Sequence, residues 1–195
     1  MGLDEWDLTR EYSLYYIDRL VRSKIDLLAL NFNNDIFAFL KNEKNVLFVL
    51  NFFKFNSLLN FNFFCDMTTI DFFYSKIRYK IVYNLMNINF ALRCILSLFI
   101  INTFNFILSI SFIYPSAIWS EREIWDMFGI FFINNNSLKR ILTDYGFKGH
   151  PLKKDFPLIG YFEVYYHYTV GEMAYKLVEL TQEYRFYNVD SSWEI

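Results

Sequence analysis

Cys94-Ile-Leu-Ser-Leu-Phe-Ile-Ile-Asn-Thr-Phe-Asn-Phe-Ile-Leu-Ser-Ile-Ser-Phe-Ile-Tyr-Pro-Ser-Ala-Ile-Trp-Ser120 runs without a single charged side chain. A stretch of this length can cross a bilayer as one helix. Its composition argues for strands instead. Asn102, Thr103 and Asn105 sit near its centre, Ser97, Ser109 and Ser111 surround them, β-branched and aromatic residues dominate, and Pro115 stops the run. Two fold classes hang on this choice. Buried strands of a soluble domain are the leading reading, and a small integral membrane protein with a span near 94–114 is the alternative.

The residues upstream favour strands. Phe61–Thr68, Ile77–Met86 and Phe90–Ile101 are rich in aromatic and β-branched residues, with turns expected at Asp71 to Lys76 and Asn87–Asn89. Earlier still, Leu14, Ile17, Val21, Ile25 and Leu28 fall near one face of a helix predicted from Leu8 to Leu30. Asn31 to Asn34 breaks it, Asp35–Leu40 reads as a short strand, and Glu43 to Phe55 reads as a second helix. The expected fold class is α+β: helices packed on one face of a mostly antiparallel or mixed sheet, followed by a turn-rich segment and an extended C-terminal tail. The expected domains are 1–160 as a single α+β domain and 161–195 as a partner-binding tail.

Composition narrows the function. The chain has 195 residues, 54% of them hydrophobic and 22% aromatic, with a formal net charge of −2. That hydrophobic fraction excludes general disorder, and the charge gives no electrostatic case for nucleic acid. Cys65, Cys94, His150 and His167 are too few and too scattered for an iron–sulfur cluster or a structural zinc site. Cys65 and Cys94 read as buried thiols. Neither GxGxxG nor GxxxxGK[ST] occurs, so no cofactor is expected on this chain. Abundant Phe, Tyr, Ile, Asn and Lys, with only 6 Gly and 3 Pro, point to an A/T-rich gene such as an organellar one. Balanced third codon positions would contradict that origin. Asp4, Glu5 and Asp7 follow Met1 where an Arg-rich targeting leader would be basic, so synthesis inside the organelle is expected.

Downstream, Pro115, Pro151 and Pro157 and Gly129, Gly146, Gly149 and Gly160 punctuate an irregular segment. Ser116–Phe128 reads as a helix, with Ser116 as N-cap, Gly129 as stop, and Ser120–Glu123 as an alternative capping box. Ile118, Ile124, Trp125 and Phe128 share a face with Glu121 in its middle. Glu121 is then either a buried ion pair at a subunit contact or a solvated first-turn carboxylate favoured by the helix dipole. His150, before Pro151, is read as a hydrogen-bonded turn residue, with a proton relay as the alternative. Lys153-Lys154-Asp155 is either a solvated turn or an interface charge clamp. His167 has no motif neighbour and is expected to be exposed. From Leu177 onward, Tyr184, Phe186, Tyr187 and Trp193 are spaced among charges in the manner of interface anchors; a final helix or strand is the alternative.

Three runs in this region carry a resemblance: Glu121-Arg-Glu-Ile-Trp-Asp-Met-Phe-Gly129, Arg140-Ile-Leu-Thr-Asp-Tyr-Gly-Phe147, and Gly149-His-Pro-Leu-Lys-Lys-Asp-Phe-Pro-Leu158 continuing through Gly160-Tyr-Phe-Glu-Val164. Glu179-Leu-Thr-Gln-Glu-Tyr-Arg185 and Trp193-Glu194 extend it. The sequence resembles the 30 kDa core subunit family of respiratory complex I, which includes subunit 9 of mitochondrial NADH dehydrogenase and its bacterial counterparts. Residues 1–113 match only loosely, in element order and in Cys65-Asp-Met-Thr-Thr-Ile-Asp71.

The resemblance implies a cofactor-free, non-catalytic subunit of the peripheral arm, on the matrix side of the mitochondrial inner membrane. It implies packing on the quinone-site (49 kDa-type) subunit and on iron–sulfur neighbours, in a complex that uses NADH and ubiquinone and carries FMN and iron–sulfur clusters elsewhere. It implies partner contacts at Glu121, Arg122, Trp125, Asp126, Arg140, Asp144, Tyr145, His150, Lys153, Lys154, Asp155, Phe156, Glu163, Glu179, Gln182, Glu183, Tyr184, Arg185 and Trp193. The chain departs from the family at Asn134-Asn-Asn-Ser137, where a Gly-His-Pro-Asp turn is usual, and at Lys153, Tyr165, His167 and Ser192. A related subunit of a membrane-bound hydrogenase is the nearest rival, disfavoured by the organellar composition.

Overall fold

The structure, a computed structural model, describes residues 5–30, 35–75, 77–100 and 106–187. The expectations for the 31–34 break, Asn102, Thr103, Asn105, Ser192 and Trp193 lie outside those residues. The chain divides into two units, Met1–Asp155 and Phe156–Ile195.

The first unit is α+β. Helix α1 (Glu5–Val21) leads into strands β1 (Ile25–Leu30) and β2 (Ile36–Leu40), a 3-10 turn (Glu43–Asn45) and helix α2 (Val46–Phe55). Strands β3 (Phe63–Asp71), β4 (Tyr79–Asn87) and β5 (Leu92–Ile100) follow. The five strands form one sheet in the order β1-β2-β5-β4-β3. β2 and β5 pair parallel, and every other pair is antiparallel. β4 alternates buried and half-exposed residues along its whole length, the two-residue period of a strand with one face in a core. Its Tyr79, Ile81, Tyr83 and Leu85 join Leu96 and Leu98 of β5 and Val49, Leu50 and Phe53 of α2 in one buried cluster.

The charge-free stretch is not one element. It contains the end of β5, strand β6 (Phe106–Leu108), a turn at Ile110–Tyr114 and the start of helix α3 (Ala117–Phe128). Among the described residues no helix is long and apolar enough to cross a membrane. The span near 94–114 is therefore replaced by strands. β6 pairs in parallel with β7 (Phe131–Ile133), which follows α3.

The predicted helix from Leu8 to Leu30 ends at Val21. Arg22-Ser-Lys24 turns the chain, and Ile25–Leu30 pairs with β2. The helical spacing of Ile25 and Leu28 has a different origin. A register shift between Ile25 and Leu27 sets Ile25 against Leu40 and Leu28 against Ala38, so a bulge puts both on one face. A second shift, between Phe64 and Asp66, leaves Cys65 exposed on edge strand β3, whereas Cys94 is buried. The expectation of two buried thiols thus fails at Cys65.

The second unit holds a hairpin, β8 (Phe162–His167) and β9 (Glu172–Leu177), where only an extended tail is expected from the sequence. Residues 178–187 form no helix or strand. A two-stranded hairpin buries too little surface to be stable by itself in water.

Candidate partner-binding site around helix α3

α3 begins at Ala117, before the alternative capping box at Ser120. Ser116 occupies the N-cap position, but its own backbone is helical and its side chain makes no capping bond. At the other end Gly129 stops the helix at φ +73°, and its N–H donates to the Trp125 carbonyl. A Cβ on Gly129 would meet the His150 ring at 2.7 Å. Glycine is needed here for both the backbone and the approach of the ring.

Glu121 and Asp126 are each fully buried, and they are held differently. Glu121 accepts from neutral donors alone: Ser109 Oγ and Asn135 Nδ2 on Oε2, and the Ile110 N–H on Oε1, each at 2.7 Å. Burial raises its carboxyl pKa above the ordinary value, and these donors only partly oppose the rise. Glu121 is therefore not a solvated first-turn residue, and among the described residues no cation pairs with it.

Asp126 gathers the turn-rich segment onto α3. Its Oδ1 accepts from Arg140 Nη1 at 2.9 Å and from the Thr143 hydroxyl at 2.7 Å. Its Oδ2 accepts from the N–H groups of Ile141 (3.2 Å), Leu142 (2.9 Å) and Thr143 (3.0 Å). Burial alone would raise its pKa. The Thr143 hydroxyl and the three backbone amides outweigh that and hold it below the usual value. Arg140 Nη1 also donates to the Gly149 carbonyl at 2.9 Å, and its guanidinium lies over Trp125 and Phe147. The Asp126 carbonyl lies 3.0 Å from His150 Nδ1; a carbonyl only accepts, so that nitrogen carries the proton. His150 is thereby a hydrogen-bonded turn residue.

A third contact anchors the end of this segment. Arg78, after the β3–β4 turn, donates through Nε (2.8 Å) and Nη2 (2.9 Å) to the two oxygens of Asp71, and through Nη1 (3.1 Å) to Asp155. The Lys154 N–H donates to Asp71 Oδ2 at 2.9 Å. Burial opposes ionisation of Asp71, but Arg78 and the Lys154 amide prevail and lower its pKa. Asp155 is thus held within this chain, by Arg78, and neither lysine side chain forms a salt bridge in that cluster among the described residues. Lys153 is half-buried and the Lys154 side chain is exposed.

The remaining predicted residues are spread over the surface. Arg122 is half-buried, its guanidinium over Trp119, and its Nε is buried with no hydrogen-bond partner. Asp144 is exposed and accepts from the Tyr145 N–H, while the Tyr145 ring projects almost wholly into solvent. In the second unit Phe156 stacks edge-on with Tyr161, and Glu163 pairs with Lys176 across the hairpin at 3.3 Å. Glu179, Gln182, Glu183, Tyr184 and Arg185 are exposed. His167, expected to be exposed, is half-buried. The structure brings Asp126, Arg140 and His150 together.

Sequence reasoning missed Ser109, Asn135, Thr143, Asp71 and Arg78. Signals existed for most of them. Ser109 is a polar interruption in an apolar run, Thr143 and Asp71 sit inside matching runs, and Asn135 lies in the departure Asn134–Ser137. Among the described residues, no three His, Cys, Asp or Glu side chains gather as a metal-binding group.

The profile of a family described as respiratory-chain NADH dehydrogenase, 30 Kd subunit, matches residues 40–162. The chain belongs to this family. Relatives agree: an NADH-ubiquinone oxidoreductase subunit 9 from Acanthamoeba castellanii is 38% identical over 100% of this chain and 98% of its own length. A subunit 9 from Dictyostelium citrinum is 46% identical over 77% of this chain and 74% of its own. An NADH dehydrogenase [ubiquinone] iron-sulfur protein 3 from Beta vulgaris is 42% identical over 75% of this chain and 76% of its own. Two solved structures share the fold at low identity. A trypsin-resistant fragment of Nqo5 has a TM-score of 0.54 at 18% identity, covering 65% of this chain and 97% of the fragment. A chain of an archaeal membrane-bound sulfane sulfur reductase has a TM-score of 0.64 at 19% identity, covering 76% and 87%. As a member of the 30 kDa family, the chain is a subunit of NADH:ubiquinone oxidoreductase, complex I.

Proposed function

We propose that this subunit is a cofactor-free scaffold of the peripheral arm, on the matrix side of the mitochondrial inner membrane. It packs on the quinone-site subunit and on iron–sulfur neighbours, and so holds the quinone-reducing module in register. NADH, FMN and cluster chemistry belong to the other subunits. The observation that carries this reading is the family match running through the whole segment gathered around α3.

The structure supports it in two ways. The carboxylates and cations that resemble catalytic groups are used internally: Asp126, Arg140 and His150 shape one loop system, and Asp71, Arg78 and Asp155 pin its end. The loops so shaped present exposed side chains such as Leu142, Tyr145 and Leu152. Tyr168, Met173, Tyr175, Phe186 and Tyr187 are exposed in the second unit, a large aromatic content for a segment in which no described residue is buried.

Deletion of 179–195 tests the tail's share. Complex I on a native gel should fall severely while the truncated chain stays soluble and folded. Normal levels of assembled complex would contradict a partner-binding tail.

A further inference from the structure

The sheet of the first unit has two faces, and only one carries the helices. On the core face, alternate residues of β2, β4 and β5 join the buried cluster. On the opposite face stand Phe37 and Phe39 of β2, Ile95 and Phe99 of β5 and Val82 of β4. They are half-exposed, and none belongs to that core or to the hydrophobic residues packed against it. A sheet face open to water ordinarily alternates to polar residues. Here it carries an aromatic band: Phe37 meets Phe39 edge-on at 5.1 Å, and Phe39 stacks on Phe99 at 5.6 Å.

Two polar groups in this band have no hydrogen-bond or salt-bridge partner among the described residues. The Lys80 ammonium lies 4.7 Å from the centre of the Phe39 ring, 5.5 Å from Phe37 and 5.9 Å from Phe99. No carboxylate among the described residues forms a salt bridge with it. Partial burial already lowers its pKa. Ser97, set by register between Phe39 and Val82, is 0% exposed, and its hydroxyl has no hydrogen-bond partner. The Lys80 cation, half-dried among phenyl rings, matches an oxygen acceptor arriving on an apolar surface.

We propose that this bare sheet face is a subunit interface, covered by another subunit of the complex that presents an apolar ridge bearing a carboxylate opposite Lys80. This rests on the scaffolding reading above and adds a second docking surface to the tail. The occupant is another subunit because the chain belongs to a multisubunit complex. By register the same face also carries Arg93 of β5 and Asp66 of edge strand β3, both charged neighbours of Cys65. A lipid surface is gripped by several basic residues at a patch's rim, whereas here Arg93 is offset by Asp66. A second copy would offer Lys80 only Asp66, which already has Arg93 near it.

The test uses the assembled complex. A photo-crosslinking residue placed at Ile95 should join this chain to one other subunit, at a peptide where Asp or Glu is flanked by apolar residues. Lys80→Glu should lower incorporation of the chain about tenfold, as expected for a like charge meeting a desolvated acid. Lys80→Met should lower it less, and reversing the mapped acid to Lys should restore the Lys80→Glu chain. Crosslinks to lipid or to a second copy, no crosslink in a comigrating complex, or Lys80→Glu incorporation at the normal level would each overturn the proposal. Failure of the unmodified chain to comigrate with the complex would instead overturn the scaffolding reading.

Discussion

Glu121 and Asp126 sit on the same short helix, both closed off from water, yet they are opposite solutions to burying a carboxylate. Around Glu121 a hydroxyl, a side-chain amide and the Ile110 and Ser111 backbone N–H groups supply dipoles but no charge, and its pKa rises. Around Asp126 a guanidinium, a hydroxyl and three successive backbone N–H groups converge, and its pKa falls. Burial penalises the ion in both places. At Asp126 the Thr143 hydroxyl and three backbone N–H groups outweigh that penalty, and at Glu121 the donors do not. Asp126 is built to stay ionised and to organise a loop, while Glu121 tolerates the neutral form.

Breaking the stronger side should cost most. Asp126→Asn removes the charge that Arg140 faces and replaces one acceptor oxygen with a donor amide opposite backbone N–H groups. A loss of about 3–5 kcal/mol in unfolding free energy is expected, measured by denaturant titration of the full chain. A loss below about 1 kcal/mol would mean that the loop 138–150 is held by something else. Gly129→Ala attacks the same cluster without touching a charge. It places a Cβ at positive φ and drives His150 off its carbonyl partner, for an expected loss of about 2–3 kcal/mol. The His150 ring signals should shift together with those of Asp126.

Glu121→Gln should be the mildest, within about 1 kcal/mol at neutral pH, because an amide keeps one acceptor and the Ser109 hydroxyl can turn to accept. Its signature lies in the pH dependence. Glu121 has a folded pKa above its ordinary 4.5, so the folded state binds more protons than the unfolded one between the two values. Stability should therefore rise as pH falls from neutral through the folded pKa towards 4.5, and Glu121→Gln should abolish that rise. Asp126 and Asp71 have the opposite sign. Their contributions stand above the ordinary 3.8 and are lost as pH drops below it through the lowered folded values. An acid limb that survives Asp126→Asn at full size would place it on other carboxylates.

Much of this was legible in the residues. The α+β class follows from β-branched runs between helical patterns, and α3 with its glycine stop was readable to within a residue of its start. Two features defeated the reading for definite reasons. β1 mimics a helix because a bulge restores i, i+3 spacing to Ile25 and Leu28. The partners of Glu121 come from Ser109 and Asn135, brought in from two separate strand ends, and neutral donors leave no charge pattern to search for. Asp126 was named as a contact residue, but nothing local shows that its carboxylate is taken up by the chain's own amides.

On the scaffolding reading, this subunit acts by holding its neighbours and not by chemistry of its own. Membranes whose complex I carries Asp126→Asn test this through two activities: NADH oxidation by an artificial acceptor, and NADH-driven ubiquinone reduction. Ubiquinone reduction should fall severalfold while artificial-acceptor oxidation per FMN is retained. Both activities unchanged, or both lost in proportion from a fully assembled complex, would contradict the claim.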